Sequence, residues 1–401
     1  MNIWILNHYA GTAESPSTRH YDLSKELLKK GHSVTIFASG FNHYKFIEER
    51  LEPGEKWKTE DYDGVRFVWV RTFPYKGNEW RRVVNMLSYA WNVIWIGRGL
   101  RDKPDVIIGS CVHPFAVLSA YLLSKLKKGL FFFEVRDLWP QTLIDMGALR
   151  EKSLVARGLY MMEKFLYKKA VKIITLLPHA DQYITKLGIP KNKIVWIPNG
   201  ADLRKYEDIK KYDGEISGPF KIMYLGAHGR VNALDVILDT ARILQQRGLI
   251  NVRFIFVGDG PEKASLMNYA KSIEVANVEF RDPVPKSEIY KVMGEADAFV
   301  VTLEDLSLYK YGISLNKLFD YLASGRPVLF SGNSANNPVE EAGAGISVPA
   351  RNPAALAKAV SDLSSLTADA RIRMGENGLN YIKKKHDIKL LATKLELALL
   401  K

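Results

Sequence analysis

Apolar residues come in two rhythms along this chain. Short apolar runs at Ile3–Asn7, His32–Ser39, Asp105–Gly109, Gly129–Val135, Val171–Leu176 and Lys193–Ile197 read as buried strands. Between them lie stretches with helical spacing. Thr18–Lys30 puts Tyr21, Leu23, Leu27 and Leu28 on one side, and Gly31 follows as a residue that tolerates left-handed backbone. The rhythm breaks over Asp202–Gly218, a charged stretch with Gly214, Gly218 and then Pro219, and afterwards resumes. Strands are expected at Phe220–Leu225, Val252–Val257, Val278–Phe280, Ala298–Thr302, Pro327–Phe330 and Gly345–Val348, with helices at Ala233–Gln246, Pro261–Ser272, Lys286–Met293 and Ser314–Ala323. Such alternation predicts parallel sheets wrapped by helices. The expected fold is α/β, with two Rossmann-like doubly wound domains, 1–200 and 201–385, facing across a cleft at the strand carboxyl ends. A C-terminal helix at about 386–401 is expected to pack back on the first domain.

Composition narrows the class. At 401 residues, 47% apolar and 25% charged, the chain is neither disordered nor collagen-like. A single cysteine, Cys111, excludes an intrachain disulfide and a four-thiolate zinc site. The net charge of +13 is uneven: residues 1–200 hold 30 Lys/Arg against 19 Asp/Glu, whereas 201–401 hold 27 against 25. The first half therefore faces something anionic. Five of the eight tryptophans fall in 57–95, and 65–104 holds eight Lys/Arg but only the acids Glu79 and Asp102. Helical spacing over Trp80–Leu100 puts Val84, Leu87, Trp91, Ile94 and Trp95 near one side, with Arg81, Arg82, Arg98 and Arg101 toward the ends. This is either an anchor at an anionic membrane surface or a helix packed on the domain with a basic edge; the charge favours the anchor. No recognisable motif accompanies the charge, so nucleic acid is not an expected partner. No apolar run approaches the roughly 18–20 residues of a membrane helix, and the first run is too short for a signal peptide. The expected location is cytoplasmic, peripheral on the inner face of the cytoplasmic membrane.

Several segments carry candidate chemistry. Val257-Gly258-Asp259-Gly260-Pro261 is a strand, a glycine turn and a helix start, in which Gly258 and Gly260 let backbone turn beside a ligand. It is not a G-x-G-x-x-G fingerprint, and no G-x-x-x-x-G-K-[ST] occurs, which argues against a dehydrogenase or a P-loop enzyme. The loop Gly226–Arg230 opens a helix whose free N–H groups suit an anion, and Arg230 can add a phosphate contact. In Tyr311–Pro327 the polar approach through Tyr311, Gly312, Ile313, Ser314 and Asn316 leads to Lys317, placed for phosphate, and to Asp320, placed for the vicinal hydroxyls of a ribose, the alternative being an ordinary surface ion pair between the two. The Gly11–Arg19 loop, with Gly11, Thr12, Ser17 and Arg19, ends the first strand and allows close approach of a diphosphate or an acceptor. Glu134-Val135-Arg136-Asp137 brings carboxylates to a strand end. Asp137 is the leading general base, with Arg136 holding its pKa down, and Glu134 and His113 are further candidates. A structural Asp–Arg pair and a structural histidine remain the alternatives. No cluster of His, Cys and acids suggests a metal or a cofactor.

At these residues the chain resembles glycosyltransferase family 4, of the two-domain GT-B fold, over essentially its whole length. Ile197-Pro198-Asn199-Gly200-Ala201-Asp202 is similar to the family's inter-domain "IPNGVD" signature, and Val257–Pro261 with Ala296-Asp297 resembles its second-domain pattern. Leu318–Pro327 is similar to the segment carrying the second Glu of a Glu-x7-Glu motif. Arg136–Pro140 and Tyr311–Asp320 resemble a bacterial surface-polysaccharide subgroup that includes N-acetyl-L-fucosamine transferases. The resemblance implies a UDP-sugar held mainly by the second domain, and net retention without a metal. It places Asp320 at the second Glu, Gly312 at the first, and Val284 in the loop whose backbone would meet the base. Ala227 and Asn232 stand where an Arg and a Lys would meet the diphosphate, so Arg230 and Lys317 are expected to take over. The expected reaction moves a sugar, an N-acetylated amino sugar among the candidates, to a lipid-diphosphate-linked oligosaccharide in O-antigen or capsule synthesis. A non-catalytic nucleotide-binding paralogue and a UDP-sugar epimerase stay open.

Overall fold

The computed structural model of the protein describes residues 1–15, 17–43, 45–77, 80–249 and 251–400, so Pro16 of the first-strand loop and Glu79 lie outside the described residues. The chain forms two compact units, Met1–Pro198 with Ile388–Lys401, and Asn199–Asp387.

The strands of the first unit are β1 (Asn2–Leu6), β2 (Ser33–Ser39), the short pair β3 (Phe41–Asn42) and β4 (Ile47–Glu48), β5 (Trp57–Tyr62), β6 (Val65–Val70), β7 (Val106–Cys111), β8 (Leu130–Val135), β9 (Ile173–Thr175) and β10 (Ile194–Trp196). The main sheet runs β10-β9-β8-β7-β1-β2-β6-β5, parallel throughout except for edge strand β5. The β5–β6 hairpin is missing from the periodicity reading. Its edge strand alternates exposed with half-buried residues and so has no apolar run, while the turn depends on Asp63 (φ 53°) and Gly64 (φ 85°), a positive-φ pair that suits a two-residue hairpin. Helices α1 (Arg19–Lys29), α2 (Trp80–Gly99), α3 (Pro114–Lys127), α4 (Gln141–Asp145), α5 (Leu154–Lys169) and α6 (Ala180–Ile184) connect the strands. The C-terminal helix, Ile388–Leu399, buries Ile388, Leu391 and Leu395 in the core shared by Ile3, Ile5, Leu23 and Leu27. Its Glu396 pairs with Lys30 (2.8 Å) and accepts from His32 (2.9 Å).

The second unit carries β11 (Phe220–Leu225), β12 (Val252–Val257), β13 (Val278–Arg281), β14 (Ala298–Thr302), β15 (Val328–Ser331) and β16 (Gly345–Val348), in the order β13-β12-β11-β14-β15-β16 and all parallel. Its helices are α7 (Asp235–Gln246), α8 (Lys263–Ser272), α9 (Lys286–Met293), α10 (Asn316–Ala323), α11 (Pro338–Ala342), α12 (Pro353–Ser365) and α13 (Ala368–Tyr381); the C-terminal helix is α14. Alternate strand residues face opposite layers. Met223, Leu225, Ile255 and Val257 pack with α10, whereas Ile222, Tyr224, Phe254 and Phe256 pack with α7 and α12. Both sheets reverse strand order beside their first strand, between β1 and β7 and between β11 and β14. Ligands of open parallel sheets bind outside the strand carboxyl ends at such a reversal.

Candidate active site

In the second unit the loops after β11 and β14 flank the reversal, tied together by Glu304 N–H donating to the Val231 carbonyl (3.1 Å). Gly258 and Gly260 keep the positive φ that only glycine adopts easily, but the cause differs from the one expected. A Cβ on Gly258 would lie 2.1 Å from the Gly226 carbonyl oxygen, and one on Gly260 2.5 Å from that of His228. These glycines let two loops stack backbone on backbone, which accounts for them without a ligand.

Lys317 opens the first turn of α10. Its Nζ donates to the Tyr224 hydroxyl (2.6 Å) and to Asn232 Oδ1 (2.7 Å) and stands 4.5 Å above the Tyr224 ring. Close packing removes water from the amine and lowers its pKa to about 7. Asn232 also donates to the Ala227 carbonyl (2.9 Å), closing the loop on itself. Asp320, one turn on, is not paired with Lys317 but accepts from the Tyr206 hydroxyl. Asn316 is half-buried with no side-chain hydrogen bond among the described residues.

The segment before α10 is clamped. Asn199 N–H donates to Ser314 Oγ (2.8 Å), and Asn199 Nδ2 donates to the Ser314 carbonyl (2.6 Å). With Ser314 so engaged, the helix starts at Asn316 rather than Ser314. Tyr311 and Ile313 are buried, and Asn336 Oδ1 accepts from the Ile313 N–H (2.6 Å). Gly312 has φ +94°, a backbone that strains any side chain, so glycine here has a local reason. Val284 is half-buried against the core. Arg230 departs from the phosphate role and is an exposed turn arginine instead. It lines a surface pocket of about 410 Å3 with Asp235, Glu262, Glu304 and Arg351, a lining that includes neither Lys317 nor Asn232.

In the first unit a pocket of about 240 Å3 lies at the carboxyl ends of β1, β2 and β7. Gly11, Ser17 and Arg136 line it, with His8, Tyr9, Phe41, Asn42, His43, Arg50 and Trp69, which the sequence reading did not select. Gly11 faces Ser15, whose Cβ would be 2.1 Å from an added Cβ. Thr12 is buried and Arg19 turns inward. His8 Nδ1 meets His113 Nε2 at 2.8 Å across the reversal, and His8 stacks on Tyr89 with ring centroids 4.4 Å apart. His113 is fully buried, and its Nδ1 accepts from the Ala116 N–H (3.2 Å) at the start of α3. Burial, then Arg82, brings its pKa down to about 3. With both nitrogens engaged, His113 orients His8 and caps a helix and does not meet an acceptor hydroxyl.

Glu134 is likewise spoken for. Its oxygens accept from Arg19 Nε (3.0 Å), His20 Nε2 (2.6 Å) and Ser110 Oγ (2.6 Å). Burial disfavours the ion, but His20 and Arg19 outweigh it and hold the carboxyl well below its usual range. Arg19 also donates to the carbonyls of Pro198 (2.5 Å) and Ile197 (2.9 Å). Glu134 is thus an internal anchor and not a rim base. Asp137 is exposed with no side-chain partner among the described residues, as a base requires. Its pKa is moved up, not down: the surrounding chain crowds the carboxylate, and the opposing pull of Arg136 does not win. No group of His, Cys, Asp and Glu suited to a metal occurs among the described residues.

Two Rossmann-like units, each with a polar cluster at its strand-order reversal, are the build of the GT-B class. Residues 16–200 match the profile described as glycosyl transferase 4-like domain, and 219–365 match glycosyl transferases group 1. The chain is a glycosyltransferase of the GT-B fold. It is 24% identical over 295 residues to the probable glycosyltransferase WbjE of Pseudomonas aeruginosa, covering 70% of this chain and 72% of that one. A sucrose-phosphate synthase from Thermosynechococcus elongatus shares the fold with TM-score 0.75 at 14% identity, over 99% of this chain and 97% of the other. Anabaena HepE, solved with UDP and glucose, does so with TM-score 0.68 at 12% identity, over 100% and 99%.

Proposed function

We propose that the protein moves a sugar from a UDP-sugar to a lipid-diphosphate-linked oligosaccharide at an anionic membrane surface, in bacterial O-antigen or capsule synthesis. The transfer retains configuration and needs no metal, an N-acetylated amino sugar is among the candidate donors, and the reaction takes place on the cytoplasmic side. The observation that carries the reading is the pair Lys317 and Asp320, an amine and a carboxylate on successive turns of α10, each held by a neutral partner instead of by the other. That arrangement suits a diphosphate and a ribose side by side. The UDP bound to HepE supports the donor class, and the likeness to the probable glycosyltransferase WbjE supports the reaction class. The first-unit pocket, lined by Tyr9, Phe41 and Trp69 together with Asn42 and Arg136, suits an acceptor sugar.

Asp320→Ala should weaken UDP roughly 10- to 100-fold, the loss of a charge-assisted hydrogen bond worth about 1.5–3 kcal/mol. Calorimetry with UDP measures this, and an unchanged affinity would take Asp320 out of the site.

The membrane part rests on three neighbouring helices. Outside its buried row of Met86, Tyr89 and Val93, α2 exposes Trp80, Leu87, Trp91 and Trp95; α3 exposes Leu122 and Leu126; and α5 exposes Leu154, Val155, Met161 and Phe165. Helix α3 packs against both α2 and α5. The three carry nine Lys/Arg (three on α2, two on α3, four on α5) and a single acid, Glu163, which is buried and pushed up to about 8 by that burial. An apolar face rimmed by cations without exposed acids suits an anionic bilayer. Arg82 does not belong to this row. It is half-buried beside His8, His43 and His113. No helix among the described residues is long and apolar enough to cross a membrane. The protein should co-sediment with anionic liposomes at low salt and release at high salt, because screening acts over about 8–10 Å. Combining Arg81→Gln and Arg98→Gln with Trp91→Ser and Trp95→Ser should abolish binding and leave UDP affinity intact. Equal sedimentation with neutral liposomes would count against the charged face.

A further inference from the structure

Lys317 has only neutral partners. The Tyr224 hydroxyl donates to the Ala227 carbonyl (2.8 Å), so toward Nζ it accepts, and Asn232 Oδ1 can only accept. Two acceptors match the two N–H groups of an uncharged amine, with its lone pair left over. An ammonium has a third N–H, and no described residue takes it. The groups facing this amine offer no compensating charge. Tyr224 on β11 is a phenol whose pKa is raised by burial. His228, in the loop after β11, is fully buried with both ring nitrogens unpartnered, and burial brings it down to about 4. Lys263 on α8 and Asp259 after β12 act on His228 in opposite directions. Glu304 after β14 faces Arg351 (3.5 Å), and Asp320 on α10 itself is engaged by Tyr206. An amine stripped of water without a counter-charge favours its neutral form.

Resting on the nucleotide-sugar reading of this site, we propose that Lys317 is an uncharged amine when the site is empty, and that a nucleoside diphosphate binds together with one proton, which lodges on Nζ and gives the third N–H to a phosphoryl oxygen. The proton comes from solvent, and no bond other than N–H forms. The empty site then holds no stranded charge, and the full cation exists only when the anion is there to meet it. The sign follows from linkage. A bound anion raises the Lys317 pKa above its value in the empty site, so binding takes up protons between the two values and affinity falls as pH rises through that window.

The test is calorimetry of UDP at about pH 8, where UDP itself is fully ionised, in phosphate, HEPES and Tris, whose ionisation heats differ. The dependence of binding heat on buffer should correspond to nearly one proton taken up per UDP, with none for uridine. UDP affinity should fall about tenfold per pH unit above neutrality. Lys317→Met should bind UDP more weakly and without uptake. Lys317→Arg, always charged, should bind without uptake as well. UDP heats that are identical in all three buffers overturn the proton coupling and leave the nucleotide reading standing. Uptake that persists in both variants assigns the proton elsewhere and also overturns it. Absence of UDP binding to the unaltered protein, with uridine equally silent, overturns the nucleotide reading and the coupling with it.

Discussion

Glu134→Ala should cost the protein about 3–5 kcal/mol of stability, because it strands a buried Arg19 beside His20 and Ser110. The effect reaches beyond the β8 strand end, since the same guanidinium holds the carbonyls of Ile197 and Pro198. Urea unfolding followed by tryptophan fluorescence would measure the loss. Ser110→Ala removes one neutral donor and should cost about 1 kcal/mol. The contribution also has a pH signature. Because the folded pKa of Glu134 is depressed, the stabilisation is fully present above the unfolded carboxyl value and disappears as pH falls through the folded one. The mutant should therefore lose much of its excess instability in acid. A difference from the unaltered protein that stays constant down to strongly acidic pH would mean that the carboxylate is not the ionised partner of Arg19.

Asp137→Asn should slow sugar transfer by roughly 10²–10⁴-fold while UDP affinity stays the same, the usual scale for losing a positioned base. The carboxylate is exposed and unpaired among the described residues, so the substitution removes no structural bond. Its raised pKa sets the direction of the pH profile. A base at Asp137 would be active only when ionised, so the rate should then fall toward acid with a midpoint above the ordinary aspartate range. Steady-state rates across pH, with acceptor saturating, supply the readout. A mutant with full turnover would return Asp137 to a surface role and leave proton acceptance to the departing diphosphate.

Element type was legible for most buried strands, though not for all. All six strands of the second unit appear in the apolar runs: the four central ones have no polar face to dilute their signal, and the edge strands β13 and β16 are half-buried along their length. In the β5–β6 hairpin, edge strand β5 exposes every other residue and has no apolar run, whereas β6, buried and apolar apart from Arg66, was passed over. Spacing put Lys317 and Asp320 one turn apart on a helix, but did not show what holds them. Tyr224 and Asn232 lie 93 and 85 residues from Lys317, and Tyr206 lies 114 from Asp320. His8 went unselected because it reads as the tail of the first strand. Only once β1 is known to sit beside β7 does its ring face His113. The strand-end position of Glu134 was read correctly, but which way a strand residue points, and how many donors wait for it, is settled by neighbouring strands. Gly258 and Gly260 show the same limit: backbone freedom was legible, its beneficiary was not.

The backbone at Gly312, with φ +94° and ψ −179°, resists one kind of mutation. A carboxylate placed there meets a penalty of about 1–3 kcal/mol before it makes a single contact. Asn336 and Asn199 grip the two residues that follow it, Ile313 and Ser314, and oppose a relaxation of the loop that would spare that penalty. Gly312→Glu should therefore behave as a destabilised protein and not as a repaired motif. Asn316, whose half-buried amide is tied to nothing among the described residues, is under no such constraint and should accept substitution with little loss of stability.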